Sequence, residues 1–325
     1  MKSLLSRLVF SLLCCLPLLA RAEWFQREEA IMGTRVAVEL WSEDRGLAER
    51  AMESVIAEMR RTDELMSTYK PESQLSQVNA HAFQRPVQVD PDIVEVVERS
   101  FDVSRMSGGA FDITYASVGY LYDYRAHQKP SDAAIADSLP GVDYRKVQVD
   151  HDAHTIRFLR EGTRIDLGGI AKGYAVDRAV QHLRELGIRH AMVNAGGDTR
   201  LLGDRRGQPW MVGVRDPRNE GRIVVRVPLT DEAISTSGDY ERYFEENGVR
   251  YHHILVPSTG RSARGVRSAT VIGPDATLTD GLSTTLFVLG VERGMQLVAR
   301  LPGVEAVMVD EQGRIYYSAG LTPPQ

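Results

Sequence analysis

The chain has 325 residues, 43% of them apolar and 26% charged, with 28 glycines and 14 prolines. These are globular proportions, and they exclude a disordered, collagen-like or coiled-coil protein. A net charge of −5 gives no basic field for gripping a nucleic-acid backbone, and the longest apolar run, Leu8 to Leu19, falls short of the roughly 17–25 residues that a membrane-spanning helix needs.

Lys2 and Arg7 precede that run, and Ala20-Arg21-Ala22 places small residues at the two positions a signal peptidase reads. Residues 1–22 are expected to be a signal peptide cleaved after Ala22, leaving residues 23–325 as one periplasmic domain. Cys14 and Cys15, the only two cysteines, leave with the peptide, so no disulfide is expected. Neither follows the small residue that lipid attachment would require.

The first strand is expected at Arg35–Leu40, where Val36, Val38 and Leu40 alternate with more polar residues. A helix follows over Gly46–Met66, and another starts at Pro91 or Asp92 and stops at Gly108-Gly109. Residues 117–140 are polar and irregular, a surface excursion with a short helix around Ser131–Ser138. Strands are expected at Lys146–Val149, Thr155–Phe158 and Thr163–Ile165. The Ala171, Ala175, Ala179 and Leu183 stripe makes Gly169–Leu186 a helix closed by Gly187. Further strands fall at Ala191–Val193, Trp210–Arg215, Arg222–Pro228 and Arg267–Ile272. Helices at Asp275–Leu289 and Glu292–Arg300 precede a last hairpin, Val304–Val309 with Arg314–Tyr317. Hairpins interleaved with single helices, without a βαβ rhythm, predict an α+β fold with a mixed or antiparallel sheet.

Several segments carry chemistry. In Asp166-Leu167-Gly168-Gly169-Ile170-Ala171-Lys172-Gly173 a strand ends in a carboxylate, two glycines permit close approach, and a helix N-terminus follows. Lys172 falls in the first turn, where a cation is disfavoured, which points to an anionic ligand such as phosphate. Asp280 and Thr284, four apart with Ser283 between, share one helix face near its start if Thr279 is the cap, and their oxygens suit magnesium. Each motif alone is also explained by an ordinary helix start. His252-His253 leads into Pro257-Ser258-Thr259-Gly260; adjacent strand residues point to opposite faces, so only one histidine serves a site, for proton transfer or hydrogen bonding rather than zinc. Asn194–Asp198 and Ser235–Tyr240 are further glycine-hinged polar loops.

In this order the segments resemble the ApbE family of FAD:protein FMN transferases. Matches run through Met32-Gly33-Thr34, Met66-Ser67-Thr68-Tyr69, Gly109–Thr114, Asp166–Asp177, Asn194–Asp198, Thr236–Tyr240, His253-Ile254, Thr259-Gly260 and Asp280–Gly290. The resemblance implies a T-fold-like α+β domain. It also implies magnesium-dependent transfer of FMN from FAD to a Thr or Ser hydroxyl of an exported or membrane-bound electron-transfer protein, with release of AMP. It further implies flavin contacts at Met32, Tyr69, Ala110, Phe111, Asp112, Asp166, Lys172 and Ile254, and magnesium at Asp280, Thr284 and the Gly169 carbonyl, with Ser283 contributing. Catalytic roles fall to Asp280 and to His253, with Asp112 or Asp239 as competitors for the proton. The acceptor would be a quinone-reductase-type subunit or a protein of nitrous-oxide-reductase maturation. The family reads His-Ile-x-Asp-Pro where this chain has Val256 before Pro257. The same motifs would serve an FAD pyrophosphatase, and a flavin-binding protein without turnover is the alternative outside catalysis.

Overall fold

Apolar residues alternating along extended segments build an eight-stranded sheet whose strand order is that of the chain. The computed structural model describes residues 23–219 and 221–321; the expected signal peptide and both cysteines lie outside them. The strands are Glu23–Ile31 (β1), Thr34–Ser42 (β2), Ala191–Ala195 (β3), Asp198–Leu202 (β4), Ala233–Gly238 (β5), Val266–Gly273 (β6), Glu305–Asp310 (β7) and Ile315–Tyr317 (β8), and every neighbouring pair is antiparallel. The α+β expectation with an antiparallel sheet therefore holds.

The two faces of the sheet have different covers. Val36, Val38, Val193 and Ala233 belong to a core shared with the helices Arg45–Met66 (α1) and Ala171–Glu185 (α3). On the opposite face Leu201, Ile234 and Ile272 pack instead with Trp210, Val214, Val227 and Leu229 of the hairpin Trp210–Arg215/Ile223–Leu229. The helix Pro91–Ser107 (α2) and a small sheet of Val87–Gln88, Val147–Asp150 and Thr155–Phe158 form a second core with the chain entering α3. The last site-bearing helix, Ala276–Leu289 (α4), lies against β5 and β6 and beside α3.

Local chemistry sets the ends of these helices. Asp44 caps α1 by accepting from the Gly46 and Leu47 amides at 2.8 and 3.2 Å. Asp90 and Pro91 open α2, and Gly108, at φ +62°, closes it. Asp275 caps α4 through the Leu278 amide at 2.8 Å, so the cap is not Thr279, and Asp280 stands beyond the first turn.

One other expectation changes. Thr163–Ile165 is not a strand: the Asn79 side chain both accepts from the Ile165 amide and donates to its carbonyl, at 2.8 Å each, in place of a ladder. The 117–140 excursion is largely exposed and carries the short helix Asp132–Ser138; its start is anchored, with Ser117 and Val118 fully buried and the Tyr122 hydroxyl donating to the Gly260 carbonyl at 2.9 Å.

Helices α3 and α4 meet where Gly173 has no side chain. A Cβ there would lie 2.1 Å from the Ala276 carbonyl oxygen and 2.8 Å from the Asp280 Cβ. Gly173→Ala is expected to destabilise the protein by about 2 kcal/mol or more in urea unfolding, because overpacking against backbone outweighs the roughly 1 kcal/mol that alanine adds to helix propensity. A midpoint equal to or above wild type would contradict this helix contact.

Candidate functional site

Carboxylates from three elements converge where α3 and α4 begin. Asp280 Oδ2 accepts the Gly173 amide of α3 at 3.0 Å. In return Asp177 of α3 accepts the first amides of α4, Ala276 N at 2.9 Å and Thr277 N at 2.7 Å, with the Thr277 hydroxyl at 2.6 Å. Each helix thus supplies a carboxylate to the other's unpaired N-terminal amides. Lys172 pairs with Asp198, at the start of β4, and its Nζ stands 3.4 Å from both Asp280 oxygens. The lysine in the first turn is accounted for by these two acids, each nearly fully buried.

Burial opposes the charge on Lys172, but Asp198 and Asp280 outweigh it and hold its pKa above that of an ordinary lysine. Burial and then the Asp198 charge raise Asp280 above the usual carboxylate range, against the pull of Lys172.

A row of hydroxyls continues from this cluster. Ser283 Oγ donates to the Asp280 carbonyl at 2.9 Å and lies 2.8 Å from Ser237 Oγ, which is 3.1 Å from Thr284 Oγ1. Gly169 leaves room here, since a Cβ on it would stand 3.2 Å from the Phe111 ring and 3.5 Å from the Thr284 hydroxyl. Gly169, Phe111, Lys172, Asp280, Ser283 and Thr284 are thereby brought together, with Asp198 and Ser237 added by the fold.

A second group borders the first. Asp166 accepts from the Gly168 amide at 2.7 Å and from the Thr68 hydroxyl at 3.1 Å, beside Tyr69. Tyr69 is 74% exposed, an open aromatic face. Met32 and Gly33, at φ +55° and +68°, form the two-residue turn joining β1 to β2. Ala110 lies in the turn between α2 and Phe111.

Two flavin-contact expectations meet side chains already in use. Asp112 spends both oxygens on the Thr114 amide and hydroxyl, at 2.8 and 2.5 Å, and the Tyr144 amide, at 2.9 Å. Ile254 is buried in an apolar cluster with Leu282 and Leu286, its amide is accepted by His252 Nδ1 at 3.3 Å, and its carbonyl accepts the Ala263 amide at 3.0 Å. Asp239 keeps one oxygen without a partner but stands by Arg250, at 3.4 Å.

The histidines separate as opposed neighbours should. His252 ends a strand of the Tyr243–Glu246/Val249–His252 hairpin, donates through Nε2 to the Ala263 carbonyl at 2.9 Å, and accepts the Ile254 amide on Nδ1 at 3.3 Å. His253 Nδ1 is buried without a partner. Burial lowers His252 to about 4, and burial followed by the Arg242 charge lowers His253 to about 3. Val256, in the family's Asp position, packs on the Leu282–Leu286 cluster, and its carbonyl holds the turn by accepting the Thr259 and Gly260 amides at 3.0 and 2.8 Å.

The fold has solved counterparts. The ApbE protein of Thermotoga maritima superposes with a TM-score of 0.85 at 35% identity, covering 92% of this chain and 98% of that one. The flavin transferase ApbE of Vibrio cholerae gives 0.82 at 29% identity, over 92% and 98%. These matches define an α+β protein of one shared architecture. The ApbE family model matches residues 32–308, and the chain belongs to the ApbE family. A Treponema pallidum protein named FAD:protein FMN transferase is 34% identical over 322 residues, spanning 93% of this chain and 89% of that protein.

His252 binds no proton when folded until the pH falls to about 4, whereas an unfolded histidine protonates near 6.5. Its contribution to stability is therefore complete above pH 6.5 and is lost as the pH falls toward 4, by about 3 kcal/mol. Urea unfolding of wild type and His252→Gln should show the wild-type advantage shrinking by that amount between pH 7.5 and 4; a constant difference would mean that His252 is not buried neutral.

Proposed function

We propose that this chain transfers FMN from FAD to a Thr or Ser hydroxyl of an exported or membrane-bound electron-transfer protein, with magnesium, and releases AMP. Family membership supports this reading, and one observation carries it: a single lysine faces two buried carboxylates beside a row of hydroxyls. With both carboxylates ionised, one lysine leaves an excess negative charge that is costly in a buried site and that a bound cation would relieve.

No group of three or more His, Cys, Asp or Glu side chains is placed for a metal among the described residues. Magnesium needs none, because it takes one or two carboxylates and keeps its other positions for water and substrate phosphate. The residues present fit it: Asp280 and Thr284 would hold the ion, with Ser283 and the Gly169 carbonyl completing the set. Bound there, magnesium would supply positive charge to the diphosphate oxygens.

The chain's own residues do the rest. Tyr69 and the Met32 turn offer the isoalloxazine an aromatic face and an apolar edge. The acceptor oxygen forms a bond to the FMN phosphorus as the bond to the AMP oxygen breaks, and AMP leaves with that electron pair. The hydroxyl proton goes to His253 Nδ1, the buried nitrogen without a partner. Burial and the Arg242 charge keep that imidazole neutral, the state in which it can accept a proton. The acceptor is proposed to be a quinone-reductase-type subunit or a protein of nitrous-oxide-reductase maturation, met in the periplasm. Among the described residues no helix is long and apolar enough to cross a membrane.

Incubation of the chain with FAD, magnesium and a recombinant acceptor domain should give a fluorescent band that survives denaturation, with one AMP per flavin attached. Free FMN with an unlabelled acceptor would overturn the transfer reading. Asp280→Asn is expected to cut AMP formation on the order of a hundredfold or more while leaving the circular dichroism spectrum unchanged. Undiminished magnesium-dependent turnover in that variant would remove Asp280 from the site.

A further inference from the structure

The cation best placed on the sequence to meet phosphate, Lys172, is already balanced by Asp198 and Asp280. A dinucleotide arriving with a charged diphosphate meets in that lysine no free positive charge. Beside the same site stands Arg242, in the turn after β5. Its Nη1 lies 3.3 Å from the Tyr69 hydroxyl, and its guanidinium carbon is 5.8 Å from the centre of that ring. Its Nη2 lies 3.7 Å from where a Cβ on Gly33 would be. Its carbonyl accepts the His253 amide at 3.1 Å. Among the described residues Arg242 forms no ion pair with a carboxylate, in contrast to Arg250 and Arg267 nearby, which share Asp239. One exposed guanidinium therefore touches or adjoins the Met32-Gly33 turn, the open face of Tyr69 and the backbone of His253.

An arginine placed this way has a chemical preference. A neutral isoalloxazine ring offers a guanidinium stacking and uncharged carbonyl acceptors, whereas phosphate oxygens accept its paired N–H groups with charge assistance and bind it more strongly. All of the formal charge of FAD at neutral pH is on its diphosphate. We propose that Arg242 is the diphosphate-reading residue of this site, binding a phosphate oxygen of FAD from its place beside Tyr69, so that it selects flavin nucleotides over riboflavin. This rests on the flavin-transfer reading above. It also gives the chain a local order of events, since the arginine that would receive the phosphate is joined through its own carbonyl to the histidine assigned the proton.

The test is equilibrium binding to the full chain in EDTA, followed by flavin fluorescence, with FAD, FMN and riboflavin as three separate probes. Arg242→Gln should weaken FAD and FMN by about tenfold or more, the scale of one charge-assisted contact, and riboflavin by less than about twofold. Equal losses for all three would overturn the proposal, because the arginine would then only support the Tyr69 wall; unchanged FAD affinity would overturn it as well. A wild-type chain that binds FAD through Arg242 yet labels no acceptor would defeat the transfer reading alone, and one that labels its acceptor without needing Arg242 would defeat this inference alone.

Discussion

The reciprocal exchange of carboxylates between α3 and α4 is the constraint on which the site depends. A helix N-terminus leaves amides unpaired, and two such ends buried side by side would be costly unless something accepts from them. Asp177 and Asp280 are those acceptors, and Gly173 lets the helices come close enough for the exchange. Because Asp280 is fixed from behind by the Gly173 amide, its carboxylate is held in one position without relying on a ligand. Thr284, one turn further on, is fixed by the same helix.

Charge follows from that geometry. Two buried acids share one half-buried lysine, so Lys172 is spent within the cluster. The strand β5 adds hydroxyls rather than more acids: Ser235 pairs with Thr279 at 2.8 Å, and Ser237 with Ser283 and Thr284. Neutral oxygens beside carboxylates suit a hard cation better than a soft metal held by thiolates. Sheet packing and site chemistry are thus served by the same seam.

Much of this frame was legible in the sequence because helix periodicity and caps are local. The helix start at Pro91 and the closing Gly187 fall where expected, and Thr155–Phe158 and Trp210–Arg215 match to the residue. What escaped had no local pattern. The strand β5, Ala-Ile-Ser-Thr-Ser-Gly, buries hydroxyls against α4, so its inward face does not read as apolar. The five residues of β4 are all buried, which abolishes alternation, and β1 is a charged edge strand. Thr163–Ile165 looked like a strand and found a side-chain partner instead. In the site, the oddity of a lysine in a first turn was visible, but its explanation was not, because Asp198 and Asp280 are distant in sequence and meet it only through the fold. Arg242 and Asp177 carried no mark of their own; their roles come from which partners they have, and which they lack.

Magnesium half-saturation of FAD turnover in Asp177→Asn tests most directly whether the helix pairing sets the site, because Asp177 holds the start of α4 through its amides and the Thr277 hydroxyl, its other partner being Arg200 of β4 at 3.6 Å. If the exchange positions Asp280, the half-saturating magnesium concentration should rise by about tenfold, equivalent to about 1.4 kcal/mol, while FAD affinity measured in EDTA stays within about twofold of wild type. A folded Asp177→Asn protein with wild-type magnesium dependence would contradict the account.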